Sequence, residues 1–334
     1  MYFTDVTFLA FFLPIALLSY HIASVKAKPA VIAFFSLAFY LWADPIYLPV
    51  MAGVAAINYL FGYLICKRRK DLKVRRKLYI AALAFDAASF FFFYLSTTYF
   101  ETLKQTTENS GDILSLGAPI GFVFLILSCI SYIVDVYRMN APLSRSLLDY
   151  TVYIFFFPKL FAGPVCEYNK FYLELKSPKS SVELTADGIE LFVYGFAKKM
   201  LLADNIGGLR ATILAQNISS LPSLSCWLGA FAVLFEIYFD FTGYMDMARG
   251  LGKMFGVNLP INYRAPLASR SLLEFFSRYQ ITIIHWIKRY FASLSTGQGK
   301  AWEPFRVWVV CIVLLYLLEE VGMHFSPHFT FLEF

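Results

Sequence analysis

Carboxylates, arginines and a histidine recur at helical spacing between positions 236 and 289, beside segments that are almost wholly apolar. Glu236 and Asp240 are four residues apart, so on a helix they share one face. They lie near the end of an apolar run, which points them into a bundle. Such a pair can form the polar wall of a substrate chamber or the acid partner of arginines further along. A structural ion pair or a snorkelling helix end uses the same residues. Glu274 and Arg278 repeat the spacing of four and can pair. His285 follows seven beyond Arg278, and Arg289 four beyond His285. One helix over residues 271–290 puts these side chains on a common stripe. A histidine titrates near neutral pH and can act as a general base or as a hydrogen-bonded structural residue. His324 stands close to Glu319 and Glu320. A carboxylate can orient an imidazole for catalysis, and an interfacial helix end carries the same residue types.

The elements that must hold these groups are membrane helices. Of 334 residues, 59% are hydrophobic, 19% aromatic and only 16% charged, whereas soluble domains average about 25% charged. Mean hydropathy is +0.60. Apolar runs recur along the whole length, and each crossing needs about 20 mostly apolar residues. The pattern predicts one all-α multi-pass membrane domain over residues 1–334. Candidate spans fall at 6–24, 29–43, 46–65, 78–100, 113–134, 147–165, 188–206, 224–243 and 305–322. Asp44-Pro45 separates the second from the third, because proline cannot continue a helix. The N-terminus has neither the basic start nor the cleavage site of a signal peptide and reads as a retained first span.

Two stretches break the pattern. Residues 151–165, TVYIFFFPKLFAGPV, are interrupted by Pro158, Lys159, Gly163 and Pro164, which suits a re-entrant segment buried in protein. Residues 167–187 then read as a polar loop. Residues 244–304 hold no run of 18 apolar residues and carry Asp246, Arg249, Arg264, Glu274, Arg278 and His285 among other charges. They read as amphipathic, partly re-entrant structure around a protein-lined or wet cavity, since hydrocarbon tolerates irregular backbone nowhere else.

The net charge of +6 is concentrated at residues 67–77, KRRKDLKVRRK, with eight basic residues and one acid. Apolar spans flank this cluster, so it reads as a cytoplasmic loop and not as a nucleic-acid site. Lys26, Lys28, Arg138 and Arg145 fall on the same side if spans alternate, which places the N-terminus outside. Lys198-Lys199 reads as a helix end whose lysines snorkel to the headgroups. Asp86 is a single acid inside an apolar helix. The five cysteines form no CxxC pair and the four histidines are scattered, which implies no disulfide framework and no metal site.

An ordered series of stretches resembles the membrane-bound O-acyltransferase (MBOAT) family, in its bacterial branch of alginate O-acetylation and teichoic-acid D-alanylation proteins. FLAFFLPIALLSY is similar to the branch's first span, and LAFYLWADPIYLPVMAGVAAINYLFGYLI to the second and third. APIGFVFLILSCISYIVDVYR is similar to a span ending in aspartate, then tyrosine-arginine, and FFFPKLFAGPV to the proline-glycine-proline re-entrant piece. GFAKKMLLADNI and YFDFTGYMDMARGLGKMFGVNLPINYRAP are the nearest matches. The resemblance implies a helical ring around a thinned, tunnelled centre. It implies transfer of an acyl group, acetyl in particular, from a cytoplasmic thioester donor to a hydroxyl of a cell-envelope polysaccharide. The donor is acyl-CoA or an acyl carrier protein, no cofactor is bound, and the partners are membrane lipids, the glycan acceptor and periplasmic acetylation proteins. The localisation implied is the bacterial inner membrane.

The family's two activity-linked histidines are altered. In Ser277-Arg278-Tyr279-Gln280, Gln280 stands at the first; it can hydrogen-bond but takes no proton near pH 7. Trp286 matches a family tryptophan. The second histidine's tryptophan-histidine-glycine setting is not recognisable, and the chain stops where relatives continue. On this reading His324, His285 and Gln280 are the candidate catalytic residues. Glu236, Asp240, Tyr244, Asp246, Glu274 and Arg278 are the candidate substrate-binding residues. Two other expectations stand beside the enzyme: a degenerate relative serving as membrane scaffold or binding partner, and a transporter using the same cavity.

Overall fold

The computed structural model describes residues 3–106, 119–144, 146–161, 163–176, 181–216 and 221–290. A π-helical turn, Phe8–Phe12, leads into α1 (Leu13–Ile22). Then come α2 (Lys28–Ala43), α3 (Leu48–Lys67), α4 (Leu72–Thr106) and α5 (Phe122–Tyr137). Proline in the first turn of α2 and α3 stands where each begins, a place where its missing N–H costs nothing; Pro14 lies inside a helix already running from Val6. The sharp turn between α3 and α4 exposes seven of the eight basic residues of the 67–77 cluster. Its one acid, Asp71, accepts the Val74 N–H at 3.1 Å and caps α4. No strand occurs among the described residues.

The interrupted stretch is short in every piece. Helix α6 (Leu147–Phe155) stops at Phe156, α7 (Phe157–Leu160) makes a single turn, and residues 163–167 carry no regular element before α8 (Tyr168–Lys176). A Cβ on Gly163 would lie 2.6 Å from the Pro158 carbonyl oxygen, so only glycine lets the chain double back there. The ring of Phe157 packs among Phe3, Phe8, Phe12, Phe39 and Phe255. This segment is therefore the centre of the aromatic core. The polar loop expected over 167–187 instead holds α8, which buries Tyr168, Phe171 and Leu175.

Helix α9 (Val182–Ala197) passes through a π-helical turn, Lys198–Ala203, into α10 (Asp204–Leu214). Helix α11 (Ser223–Met254) runs 32 residues, so the expected span 224–243 continues eleven residues further. Four glycines, two on each helix, let α9 and α11 touch backbone to backbone. A Cβ on Gly250 would meet the Gly188 oxygen at 2.6 Å, and one on Gly243 the Gly195 oxygen at 2.7 Å. Small residues at such crossings are how membrane helices gain packing contacts without a hydrophobic drive. After α11 come a loop, a short 3-10 turn at Pro266–Ala268, α12 (Leu272–Tyr279) and α13 (Ile281–Tyr290).

Three helical stretches, Leu48–Lys67, Leu72–Ser96 and Ser223–Met254, are long and apolar enough to cross a membrane. Phe8–Ile22, Lys28–Ala43 and Phe122–Tyr137 are shorter apolar helices. Leu224, Trp227 and Phe231 are more than half exposed along one face of α11, a surface suited to lipid and costly in water. Over the described residues this is a polytopic, all-helical membrane protein. The expected span 305–322 lies outside the described residues.

Candidate functional site

The continuous helix expected over 271–290 is broken at Gln280, whose backbone (φ −129°, ψ 57°) ends α12. Helix α12 starts firmly: Ser271 Oγ accepts the Glu274 N–H at 3.1 Å and Glu274 Oε2 accepts the Arg270 N–H at 2.8 Å, a close variant of the capping box. The break is held from outside by the loop that follows α11. Arg264 N–H donates to the Arg278 carbonyl, and Ile281 N–H to the Asn262 carbonyl, both at 2.8 Å. Asn262 is the hub. Its Oδ1 accepts from Thr282 N (3.0 Å) and Thr282 Oγ1 (2.6 Å), and its Nδ2 donates to Gln280 Oε1 (3.2 Å). Nδ2 also lies 3.4 Å from Met245 Sδ on α11. Thr282 Oγ1 in turn accepts the Val165 N–H at 3.2 Å. One buried amide thus ties α11, the helix break and the interrupted segment together.

Ion pairs flank the hub. Asp246, buried on α11, accepts from Lys198 Nζ at 2.6 Å and from Tyr263 OH at 2.5 Å. Burial first, then the Asp246 carboxylate, pushes the Tyr263 hydroxyl above its ordinary pKa, so it stays a donor. Asp240 pairs with Lys199 at 2.6 Å, and buried Glu236 pairs with Arg210 at 2.5 Å. Glu236 and Asp240 therefore meet cations before them in sequence, while Asp246 meets both Lys198 before it and Arg249 one turn after it, at 3.7 Å. Lys198 and Lys199 do not end a helix either. They sit in the π-helical turn, whose register shift lets neighbouring lysines each reach an acid of α11. Tyr244 stacks on Phe3 with centroids 4.8 Å apart. Arg278 pairs locally with Glu274 at 2.6 Å, both partly exposed.

A second cluster anchors α13. Asp135, fully buried on α5, accepts from Tyr290 OH at 2.9 Å, from the Asn169 N–H at 3.2 Å and from Arg289 at 3.3 Å, and Arg289 also reaches Glu167 at 2.6 Å. Trp286 Nε1 donates to Ser131 Oγ at 2.5 Å. Asp86, also buried, accepts from Asn58 Nδ2 at 2.7 Å. Among the described residues no cluster of His, Cys, Asp or Glu could hold a metal ion.

The chain is 29% identical over 337 residues to a probable alginate O-acetylase of Pseudomonas aeruginosa, covering 99% of this chain and 63% of that protein. It is 28% identical over 316 residues to a peptidoglycan O-acetyltransferase of Helicobacter pylori, covering 85% and 59%. It is 24% identical over 195 residues to a teichoic acid D-alanyltransferase of Streptococcus thermophilus, covering 56% and 45%. The chain is thus similar to bacterial O-acetyl- and D-alanyl-transferases. It spans less than two thirds of the length of these relatives. No protein-family model matches it.

The structure brings Gln280 and Asp246 to adjoining sides of the Asn262–Tyr263 loop. Tyr244, one position before Met245, faces the aromatic core. His285 does not join them; it is exposed on α13, whose buried face carries Thr282, Trp286 and Tyr290. The break at Gln280 turns α13 out of register with α12 and removes the stripe that spacing alone implied. His324 lies outside the described residues. The described residues enclose a narrow gap. It is lined by Lys159, Ser128, Phe124, Ile154, Leu160, Pro164, Val165 and Cys166. Sequence reasoning missed Asn262, Thr282 and Lys159 as parts of one place. The proline and glycine signals of 151–165 marked the segment but not its neighbours.

Proposed function

We propose that this protein is an O-acyltransferase of the bacterial inner membrane. It moves an acyl group, acetyl in the first instance, from a cytoplasmic thioester donor to a hydroxyl of a cell-envelope polysaccharide. The reading rests on the match over 99% of the chain to a probable alginate O-acetylase, with O-acetyl and D-alanyl transferases among the other relatives. The basic turn between α3 and α4 faces the cytoplasm in this proposal, the N-terminus lies outside, and periplasmic acetylation proteins take the product onward. The donor is acyl-CoA or an acyl carrier protein.

Attack of a hydroxyl on a thioester carbonyl needs a base for the hydroxyl proton and donors for the charge that develops on the carbonyl oxygen. Gln280, held by Asn262 at a helix break, orients the acyl donor in this reading, with Arg278 beside it. His324 is the base, since His285 points outward. Glu236, Asp240, Tyr244, Asp246 and Glu274 shape the acceptor side through the pairs described above. Loss of a general base costs about 10²–10⁴-fold in rate. The test is transfer of labelled acetyl from acetyl-CoA or an acetylated carrier to polysaccharide by the reconstituted protein. Gln280→Ala and His324→Ala should each lower transfer at unchanged expression. A scaffold reading is favoured by Gln280 itself, which carries no titratable proton. It requires instead that both variants support a partner enzyme as well as the unaltered chain does.

A further inference from the structure

Lys159 is buried to 3% exposure in the single-turn helix α7, at the centre of the molecule. Its ammonium has three donors. One meets Ser128 Oγ at 3.1 Å, and the Tyr153 ring lies 3.8 Å away with Phe171 at 5.3 Å. No carboxylate among the described residues pairs with it, whereas Lys198, Lys199, Arg210 and Arg289 each meet an acid. An aromatic face offsets part of the desolvation of an ammonium but leaves its remaining N–H groups without acceptors. The lysine borders the narrow gap formed with Ser128, Leu160 and Val165. Val165 is hydrogen-bonded to Thr282, and Thr282 to Asn262, which holds Gln280. The cation therefore stands on one side of the polar chain whose other end is the candidate donor amide.

We propose that Lys159 is a binding residue for the acyl donor: its protonated amine, beside Ser128, donates a hydrogen bond to the carbonyl oxygen of a pantetheine thioester. The inference rests on the acyl-transfer reading above and adds the subsite that grips the acyl group. Lys159 stays protonated and forms no covalent bond. Leu160 and Phe124 must move to widen the gap, and the carbonyl then supplies the acceptor that the folded chain does not. Lysine also suits this position because its compact point charge needs no planar partner, whereas an arginine fork would demand a bidentate one.

The test uses acetonyl-dethio-coenzyme A, a ketone that keeps the acetyl carbonyl but cannot transfer it, against free coenzyme A, which has no acyl carbonyl. A second arm offers an acyl carrier protein bearing the same ketone on its phosphopantetheine, to separate the two donor sources. Binding is measured by titration calorimetry on the full chain in detergent. The unaltered chain should prefer the ketone to the thiol by about tenfold in one arm, and Lys159→Met should erase that preference while the unfolding midpoint holds or rises. An equal preference in Lys159→Met overturns the proposal and leaves the donor reading intact. Failure of the unaltered chain to bind either probe overturns the donor reading and this subsite together. Lys159→Leu removes both the charge and the donor and serves where Lys159→Met does not fold. If neither variant folds, the lysine is structural and the assignment falls.

Discussion

Replacing Asn262 by alanine should do more damage than any other single truncation in the candidate site. The side chain is 1% exposed. It satisfies two groups of Thr282, the N–H at 3.0 Å and the hydroxyl at 2.6 Å, and it steers Gln280 through a contact of 3.2 Å. Thr282 is buried, so its N–H loses its only partner, and an orphaned buried donor costs about 1–3 kcal/mol. The hydroxyl still receives the Val165 N–H but must find a new acceptor for its own hydrogen, at a cost of about 1 kcal/mol. The sum is about 2–4 kcal/mol. Equilibrium unfolding in mixed micelles, followed by tryptophan fluorescence, measures it; Trp286 lies one helical turn from Thr282. Acyl transfer should fall further than stability explains, because Gln280 loses the amide that fixes it. Asn262→Asp should recover part of the stability by keeping the Oδ acceptor, without restoring the contact to Gln280. A loss under about 0.5 kcal/mol for Asn262→Ala, the range of ordinary surface changes, would refute the reasoning that this amide holds the break.

Other expected outcomes follow from the same contacts. Lys198→Met strips buried Asp246 of its closest cation and should cost about 2 kcal/mol, less than the 3–5 of a fully buried pair because the lysine is 30% exposed; Lys198→Met with Asp246→Asn should recover part of it in the same unfolding assay. Gly250→Leu should abolish the monodisperse detergent peak, since a Cβ there meets the Gly188 oxygen at 2.6 Å and backbone cannot yield. Trp286→Phe loses one hydrogen bond to Ser131 while keeping the ring, and should cost about 1 kcal/mol. His285→Ala, at an exposed position, should leave stability within about 0.5 kcal/mol and transfer unchanged; a large loss of transfer would return that histidine to the candidate base.

Local chemistry was legible. Hydropathy announced the apolar helices, and Asp44-Pro45 marked the break between α2 and α3. Pro158, Gly163 and Pro164 announced the interruption, because a missing N–H and a Cβ-free backbone act within a few residues. The helix over 271–290 was misread for a reason of the opposite kind. Nothing in SRYQITIIHW forbids a continuous helix; the break comes from Asn262, eighteen positions earlier, whose loop offers the backbone at Arg278 and Ile281 other hydrogen-bond partners. The role of Lys198-Lys199 was misread likewise. Lysines inside an apolar run look like a helix end until α11 is brought alongside, and that approach depends on glycines 48 to 62 positions apart in sequence.

The sequence by itself determined that the chain is helical and lives in a membrane, because transfer of side chains to hydrocarbon is nearly additive along the chain and needs no neighbour. It also determined which residue types were out of place there. Only the tertiary structure decided which acid meets which cation, that His285 faces outward while Gln280 faces Asn262, and that Lys159 is enclosed without a carboxylate among the described residues. Those outcomes depend on distances between segments remote in sequence, and electrostatic and hydrogen-bond energies change steeply over one or two ångströms.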